Sequence, residues 1–478
     1  MAYNSLIKGL KASTFYSLAT KVIAFISTVF VARYLEPSDF GVIAMINVFV
    51  EFMNMIAEGG LSYAIIKNDY HDYFHSAVHK FVVLVGGIMS IGMMLLSPLI
   101  AIFYNNPSLV LPSIIISNLF LIKAVGITPM AMLSKELRFS EIGRITTLSM
   151  FISVICTILL AMVGLGYWSL IIGQVINAIL GAILSYNKVK DRISFMGFSF
   201  VKMKGVYARV GHTIKNVIGF RVVNYWARNA DNLYIGRFYS VAELGIYERA
   251  YKLFILPMGL INSVLSQVML PILKKDLSSE RRVNRTYGMI LNGVSLVILP
   301  LSLIFIFIPT EFINFIWGNQ WLQVAEILPY FGVLILNQAL MTTSGLVLVL
   351  KGKEVILRRL GWVSSVIIVG AIILGGMTSF ISVPKYYAIA YLMIVLPLNV
   401  YLVYFKVLKF SFWRNVSIWL VRLIFSCLAL YYQLYSVRGE VIFACLLLLV
   451  GCDIFGIYKG VKDSIDEDSI NNRVISTY

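Results

Sequence analysis

Long apolar runs separated by short polar connections dominate the chain. A bilayer's hydrocarbon core takes about 20 helical residues to cross. Runs of roughly that length fall near 13–35, 40–64, 81–104, 109–133, 144–164, 167–187, 210–236, 244–272, 287–308, 325–350, 360–378, 384–405, 415–432 and 440–458, which predicts about fourteen transmembrane helices. The polar connections test that count, because cytoplasmic loops collect Lys and Arg while the opposite loops lack them. Alternate connections carry Lys8 and Lys11, Lys67 and Lys80, the Lys135–Arg144 corner, the 188–209 segment, Lys274–Arg285, Lys351–Arg359, Lys406–Arg414 and Lys459–Arg473. The other side holds only Arg33, Arg237, Lys385 and Arg438, about 28 basic residues against four. A missed or invented helix would scramble this alternation, and an even number of crossings leaves both termini in the cytoplasm.

Composition changes the picture in one respect, the solvent. With 59% hydrophobic and 13% charged residues over 478 positions and a mean hydropathy of +0.85, no water-facing surface could be built without large exposed apolar patches. Lipid is therefore the main environment. The net charge of +17 would suggest nucleic acid in a soluble protein, but here the basic residues cluster as topology signals, so no nucleic-acid partner is expected. Cys156, Cys427, Cys445 and Cys452 all lie in apolar runs without CxxC or His/Cys spacing, and read as packing residues rather than a metal or redox site. Lysines precede the first apolar run with no small-residue cleavage site after it, so that helix is expected to be retained.

The topology divides the chain into an N-terminal six-helix lobe (1–187), a cytoplasmic linker (188–209), a C-terminal six-helix lobe (210–405), and two additional transmembrane helices with a cytoplasmic tail (406–478). The linker interleaves bulky apolar and basic residues, the pattern of a helix lying on the membrane surface. External connections are short, the largest near 309–323, and leave no room for a soluble catalytic domain.

One segment recurs. Ala32-Arg33-Tyr34-Leu35-Glu36-Pro37-Ser38-Asp39-Phe40-Gly41 returns as Gly236-Arg237-Phe238-Tyr239-Ser240-Val241-Ala242-Glu243-Leu244-Gly245, keeping Arg, an aromatic, an acid and Gly in register. Each copy joins the first and second helices of a six-helix unit. Six crossings preserve orientation, so the units form a parallel repeat with an axis along the membrane normal and a site between them. The acid is expected to open the second helix at its positive end, and the glycine to allow close packing.

Eight basic residues remain within the apolar runs: Lys21, Lys123, Lys215, Arg221, Arg228, Arg249, Lys252 and Arg422. A charge at mid-bilayer costs about 2.5–3.5 kcal/mol on insertion scales, so such residues face a bundle interior or a wet cavity. On the seventh helix Arg221, Asn224, Tyr225, Arg228, Asp231 and Asn232 recur at three- and four-residue steps along one stripe. The eighth offers Glu248, Arg249 and Lys252, the first Lys21, and the second Asn47, Glu51, Asn54 and Glu58. These stripes predict a cavity with more positive than negative groups, suited to a phosphate or carboxylate. The competing structural reading pairs the bases with Asp231, Glu248, Glu51 and Glu58 to hold helices together. For Lys123, Lys215 and Arg422, which can snorkel to an interface, the structural reading is expected, and His212 is expected to be interfacial.

At VARYLEPSDFGVIAM (31–45), GGLSYAII (59–66), SKELRF (134–139) and above all NYWARNADNLYIGRFYSVAELGIYERAYKLFILP (224–257), the chain resembles the polysaccharide transporters, or O-antigen flippases, of the multidrug/oligosaccharidyl-lipid/polysaccharide exporter superfamily. The resemblance covers nearly the whole chain, least distinctively the last two helices. It implies an all-α fold with two six-helix lobes in a V shape plus two C-terminal helices, in the bacterial cytoplasmic membrane. It implies translocation of undecaprenyl-pyrophosphate-linked oligosaccharide by alternating access, for O-antigen, capsule or exopolysaccharide, without catalysis. Arg221, Arg228, Arg249 and Lys252, with Lys21 opposite, are then expected to meet pyrophosphate or acidic sugar. Tyr225, Tyr247 and Tyr251 would contact sugar, and Glu58 and Asp231 would serve as counter-ions or coupling sites. No cofactor is implied beyond coupling to a proton or sodium gradient; membrane lipids, a polysaccharide polymerase and other assembly proteins are the implied partners. A drug exporter of the same superfamily would prefer an acidic cavity. A membrane-embedded polymerase or glycosyltransferase would need a sizeable external loop or an acidic catalytic pair, which the sequence does not show.

Overall fold

The computed structural model describes the backbone of residues 2–67, 72–193, 222, 225–276, 280–409, 421–431 and 446–463. Among the described residues every regular element is helical, and ten helices are long and apolar enough to cross a membrane. The chain is thus an all-α, multi-pass membrane protein, as the apolar runs predict. The ten spans do not by themselves establish fourteen. The expected crossing at 210–236 and parts of the last two fall largely outside the described residues, as do Lys215, Arg221, Asn224, His212 and most of the interfacial linker.

Contacts group the chain into two units, Met1–Ile246 and Tyr247–Tyr478. In the first, α1 (Ala2–Tyr34), α2 (Pro37–Lys67), α3 (Asp72–Phe103), α4 (Val110–Lys135), α5 (Phe139–Met162) and α6 (Tyr167–Asn187) follow one another, with α7 (Ala230–Phe238) and the start of α8 (Val241–Asp276). Helix α3 packs on α4, α1 on α5, and α6 on both α4 and α5. Lipid offers no hydrophobic drive between helices, so small residues and hydroxyls must supply the close contact. Gly126 of α4 accordingly lies against Ala182 and Ser185 of α6. Ser153 of α5 donates to the Gly173 carbonyl of α6 at 2.7 Å. Meanwhile Leu148, Phe151, Ile155 and Leu159, spaced by three or four residues, leave one face of α5 exposed.

In the second unit α8 continues into α9 (Glu280–Phe307), α10 (Pro309–Ile316), α11 (Leu322–Met341), α12 (Ser344–Leu350), α13 (Glu354–Gly376) and α14 (Ser382–Val407), then α15 (Val421–Tyr431) and α16 (446–463). Helix α11 is buried almost all round, from Val324 to Leu340, which marks it as the centre of the unit. It packs against α9, where Ser302 donates to the Gly332 carbonyl at 2.7 Å. The connection near 309–323 folds into α10 and a single 3₁₀ turn that bury Trp317 and Trp321. Pro309 at the first helical position and the aromatic spacing were the available signal.

Candidate functional site

The repeated segment builds the same device twice. Asp39 stands third in α2, and its carboxylate accepts the amide of Glu36, the residue before the helix, at 3.0 Å. Glu243 stands third in α8 and accepts the Ser240 amide at 2.7 Å, while the Ser240 hydroxyl accepts the Glu243 amide at 3.2 Å. This is the reciprocal capping box, satisfying donors that a helix start otherwise leaves open. Asp39 differs by also accepting the Tyr167 amide at 2.8 Å, which ties the start of α2 to the start of α6. The two turns also touch. A Cβ on Gly41 would fall on the Val241 carbonyl, and one on Gly245 on the Pro37 carbonyl. Pro37 and Val241 are equivalent in the repeat, so the two contacts are mates of each other. A local two-fold relation between the segments generates that reciprocity.

Inward from this turn, residues 225–228 are helical and lead into α7. The Tyr225 hydroxyl donates to the Val48 carbonyl of α2, and its ring lies 5.6 Å from Phe52. Trp226 packs 4.7 Å from Phe52 and 6.0 Å from Phe49. These aromatics fasten this stretch to α2. Arg228, one turn on, is exposed and forms no ion pair with any described residue. It falls within the apolar run at 210–236 that the sequence predicts to cross the membrane. Asp231 is buried in the first turn of α7, its carboxylate accepting the Asn232 amide at 2.8 Å. Lys21 is half-buried on α1 and Glu51 exposed on α2. The side chain of Glu58 lies outside the described residues.

In the second unit, Glu248 gathers both bases of α8. Its carboxylate lies 2.5 Å from Lys252 Nζ and 3.6 Å from Arg249 Nε. Arg249 is buried, whereas the Lys252 side chain is 50% exposed and so remains accessible. Glu248 thus faces both bases, Arg249 buried and Lys252 half exposed. Tyr247 and Tyr251 stack at 6.2 Å, and Phe331 of α11 meets both edge-on. Tyr247 is fully buried in this cluster and Tyr251 partly so.

Arg422 has a structural role, through pairing rather than snorkelling. It is buried in an ion pair with Asp453 of α16, with Asn292 of α9 at 3.4 Å. The pairing depends on a partner 31 residues away in sequence; once an acid is in reach, a guanidinium need not seek water. Lys123 lines a cavity inside the first unit.

At the C-terminal end of α4 the SKELRF segment forms a charge network. Arg138 binds Glu141 at 2.7 Å and Glu136 at 3.1 Å, Arg192 binds Glu136, and Lys188 reaches Glu141 at 3.3 Å. Partial burial alone would raise the Glu136 pKa, but the hydrogen bonds from Arg192 and Arg138 outweigh it and hold the carboxyl below its ordinary value. The segment is a structural corner rather than a site.

Comparison with known proteins places these features in context. A family model described as polysaccharide biosynthesis protein matches residues 30–326. The teichuronic acid biosynthesis protein TuaB of Bacillus subtilis is 25% identical over 312 residues, 63% of this chain and 62% of TuaB. The lipopolysaccharide biosynthesis protein WzxC of Escherichia coli is 22% identical over 376 residues, 77% of this chain and 75% of WzxC. The chain thus matches less than two thirds of the length of one relative and three quarters of the other. Among solved structures, the lipid II flippase MurJ in an inward closed conformation matches with a TM-score of 0.63 and 16% identity over 95% of this chain and all of that one. The likeness is one of fold.

Proposed function

The chain belongs to the family of polysaccharide biosynthesis proteins, and from that premise we propose that it is a flippase for lipid-linked oligosaccharide in surface polysaccharide assembly. The cargo is an oligosaccharide unit on undecaprenyl pyrophosphate, taken from the inner leaflet of the bacterial cytoplasmic membrane and released at the outer one. Both termini stay in the cytoplasm, as the distribution of Lys and Arg argues.

The observation that carries this reading is Arg228, an exposed guanidinium inside an apolar run of the sequence, without an acidic partner among the described residues. A membrane protein places such a group only where water or a ligand meets it. A guanidinium matches phosphate and carboxylate oxygens in a two-pronged geometry, which an acidic headgroup supplies and a cationic drug does not. Lys252 adds a second accessible cation, with Arg249 held behind it by Glu248. Headgroup capture needs no bond making, so the chain's part is to replace water around the anion while the prenyl tail stays in lipid. Alternating access then releases the headgroup on the far side.

Reconstitution into vesicles tests the proposal. With a fluorescent lipid-linked oligosaccharide in both leaflets, protein-dependent exposure of the label at the outer face is expected. A neutral glycolipid or a cationic dye should not be moved. Movement of the dye alone would favour a drug exporter, and elongation of the glycan would favour a polymerase.

A further inference from the structure

The first unit contains a cavity of about 610 Å³ between α1, α4, α5 and α6, lined among others by Lys123, Asn177, Thr20, Thr146 and Ser149. We propose that this cavity is a second recognition site, taking a sugar phosphate headgroup, with Lys123 and Asn177 on the phosphate and the hydroxyls on the sugar. The inference rests on the flippase reading above but concerns residues that reading does not use.

Position and charge come first. Lys123 is the middle of α4, 12 residues from Lys135 at one end and 13 from Val110 at the other, so about 18 Å of helix lies on either side. It is exposed to the cavity, no lining residue is acidic, and it forms no ion pair with any described residue. An ammonium at that depth is costly, so a ligand anion that offsets its charge gains accordingly. Asn177, also at the midpoint of its helix, α6, is exposed and makes no hydrogen bond to a described residue. Its amide is therefore available as a further donor.

The hydroxyls have the opposite polarity. Thr20 donates to the Tyr16 carbonyl at 2.8 Å, Thr146 to Ile142 at 3.0 Å and Ser149 to Ile145 at 2.8 Å. Each hydroxyl has a single proton. With it committed to the backbone, the Thr146 and Ser149 oxygens have only lone pairs left and accept from a ligand's O–H groups, as does that of Thr20, which also lies 3.1 Å from the Thr147 hydroxyl. Donors at Lys123 and Asn177 beside acceptors at Thr20, Thr146 and Ser149 complement a phosphate joined to a hydroxylated ring. The volume falls within the roughly 300–1,000 Å³ of small-ligand sites. A bare phosphate would leave the acceptors unused, and a neutral sugar would leave the ammonium uncompensated.

Binding of three probes to the purified full chain in nanodiscs tests the proposal: a polyprenyl-linked glucose phosphate, free glucose 1-phosphate, and neutral dodecyl glucoside. Replacing Lys123→Met should weaken the lipid-linked sugar phosphate about tenfold or more, as loss of a charge-assisted hydrogen bond does. Lys123→Arg should retain most of the affinity, Asn177→Ala should lose severalfold, and dodecyl glucoside should be indifferent to all three. Glucose 1-phosphate binding directly in a Lys123-dependent manner while the lipid-linked probe does not bind would uphold the site and assign it a soluble source. Equal affinity of wild-type protein and Lys123→Met for both phosphorylated probes, at unchanged melting temperature, would overturn it. Lys123-dependent binding without translocation would uphold this site and remove the flippase reading instead.

Discussion

Gly41 and Gly245 each lie against the other's turn: the Val241 carbonyl fills the space of a Gly41 side chain, and the Pro37 carbonyl that of a Gly245 side chain. Backbone stands on both sides, so neither neighbour can swing away as a flexible side chain would. Gly41→Ala and Gly245→Ala should each cost about 1–3 kcal/mol or more, the range of overpacking. Melting temperature in detergent reads this directly. Because the contacts are mates, the two variants should be alike, and a large asymmetry would argue against the reciprocal geometry.

The capping acids offer a graded comparison. Glu243→Ala removes one cap and should cost about 1 kcal/mol. Asp39→Ala removes the cap on α2 and also the acceptor for the Tyr167 amide of α6, so it should cost about twice as much. Unfolding of the purified variants, compared with wild type, checks the ratio. Equal losses would mean that the bond to Tyr167 contributes nothing.

This part of the molecule was legible in the sequence because it is local. Arg, acid and Gly at fixed spacing specify a turn, a cap and a close approach within ten residues, and the apolar runs specify helices for the same reason. Pairing across the fold was not legible. Periodicity places Tyr225 and Arg228 on one stripe of a helix but says nothing of what faces it; Val48, which receives the Tyr225 hydroxyl, is 177 residues away. The stripe on α8 likewise read as three inward charges, whereas Glu248 engages both of its bases. The cavity beside Lys123 was not legible either, since three other helices make it.

The Arg422–Asp453 pair should behave as a unit. Asp453→Ala leaves a buried guanidinium uncompensated and should cost about 3–5 kcal/mol. Arg422→Met with Asp453→Leu removes both charges and should recover most of that loss, since buried pairs replaced by apolar residues are often neutral. Folded yield and melting temperature of the single and double variants decide it. A double variant as damaged as the single one would show that the pair has a role beyond offsetting its own charges.

The corner at the end of α4 carries a pH signature. The Glu136 pKa is held below its ordinary value, so its stabilising contribution is complete above that ordinary value and disappears as pH falls through the lowered one. The carboxylate is partly exposed and water-screened, so the effect should be small. Glu136→Gln should lower the melting temperature slightly at pH 7 and converge with wild type as the solution is acidified toward pH 3. A difference that stays constant across this range would contradict the assignment.

The central claim is that an uncompensated cation in the membrane meets an anionic headgroup. Its most direct measurement is the rate at which Arg228→Ala vesicles expose a lipid-linked oligosaccharide at their outer face, relative to wild type and to Arg228→Lys at matched protein content. Loss of a charged hydrogen-bonding group predicts a fall of about tenfold or more for the alanine variant, with partial retention by lysine, which keeps the charge but not the fork. An alanine variant that is folded and as fast as wild type would contradict the account.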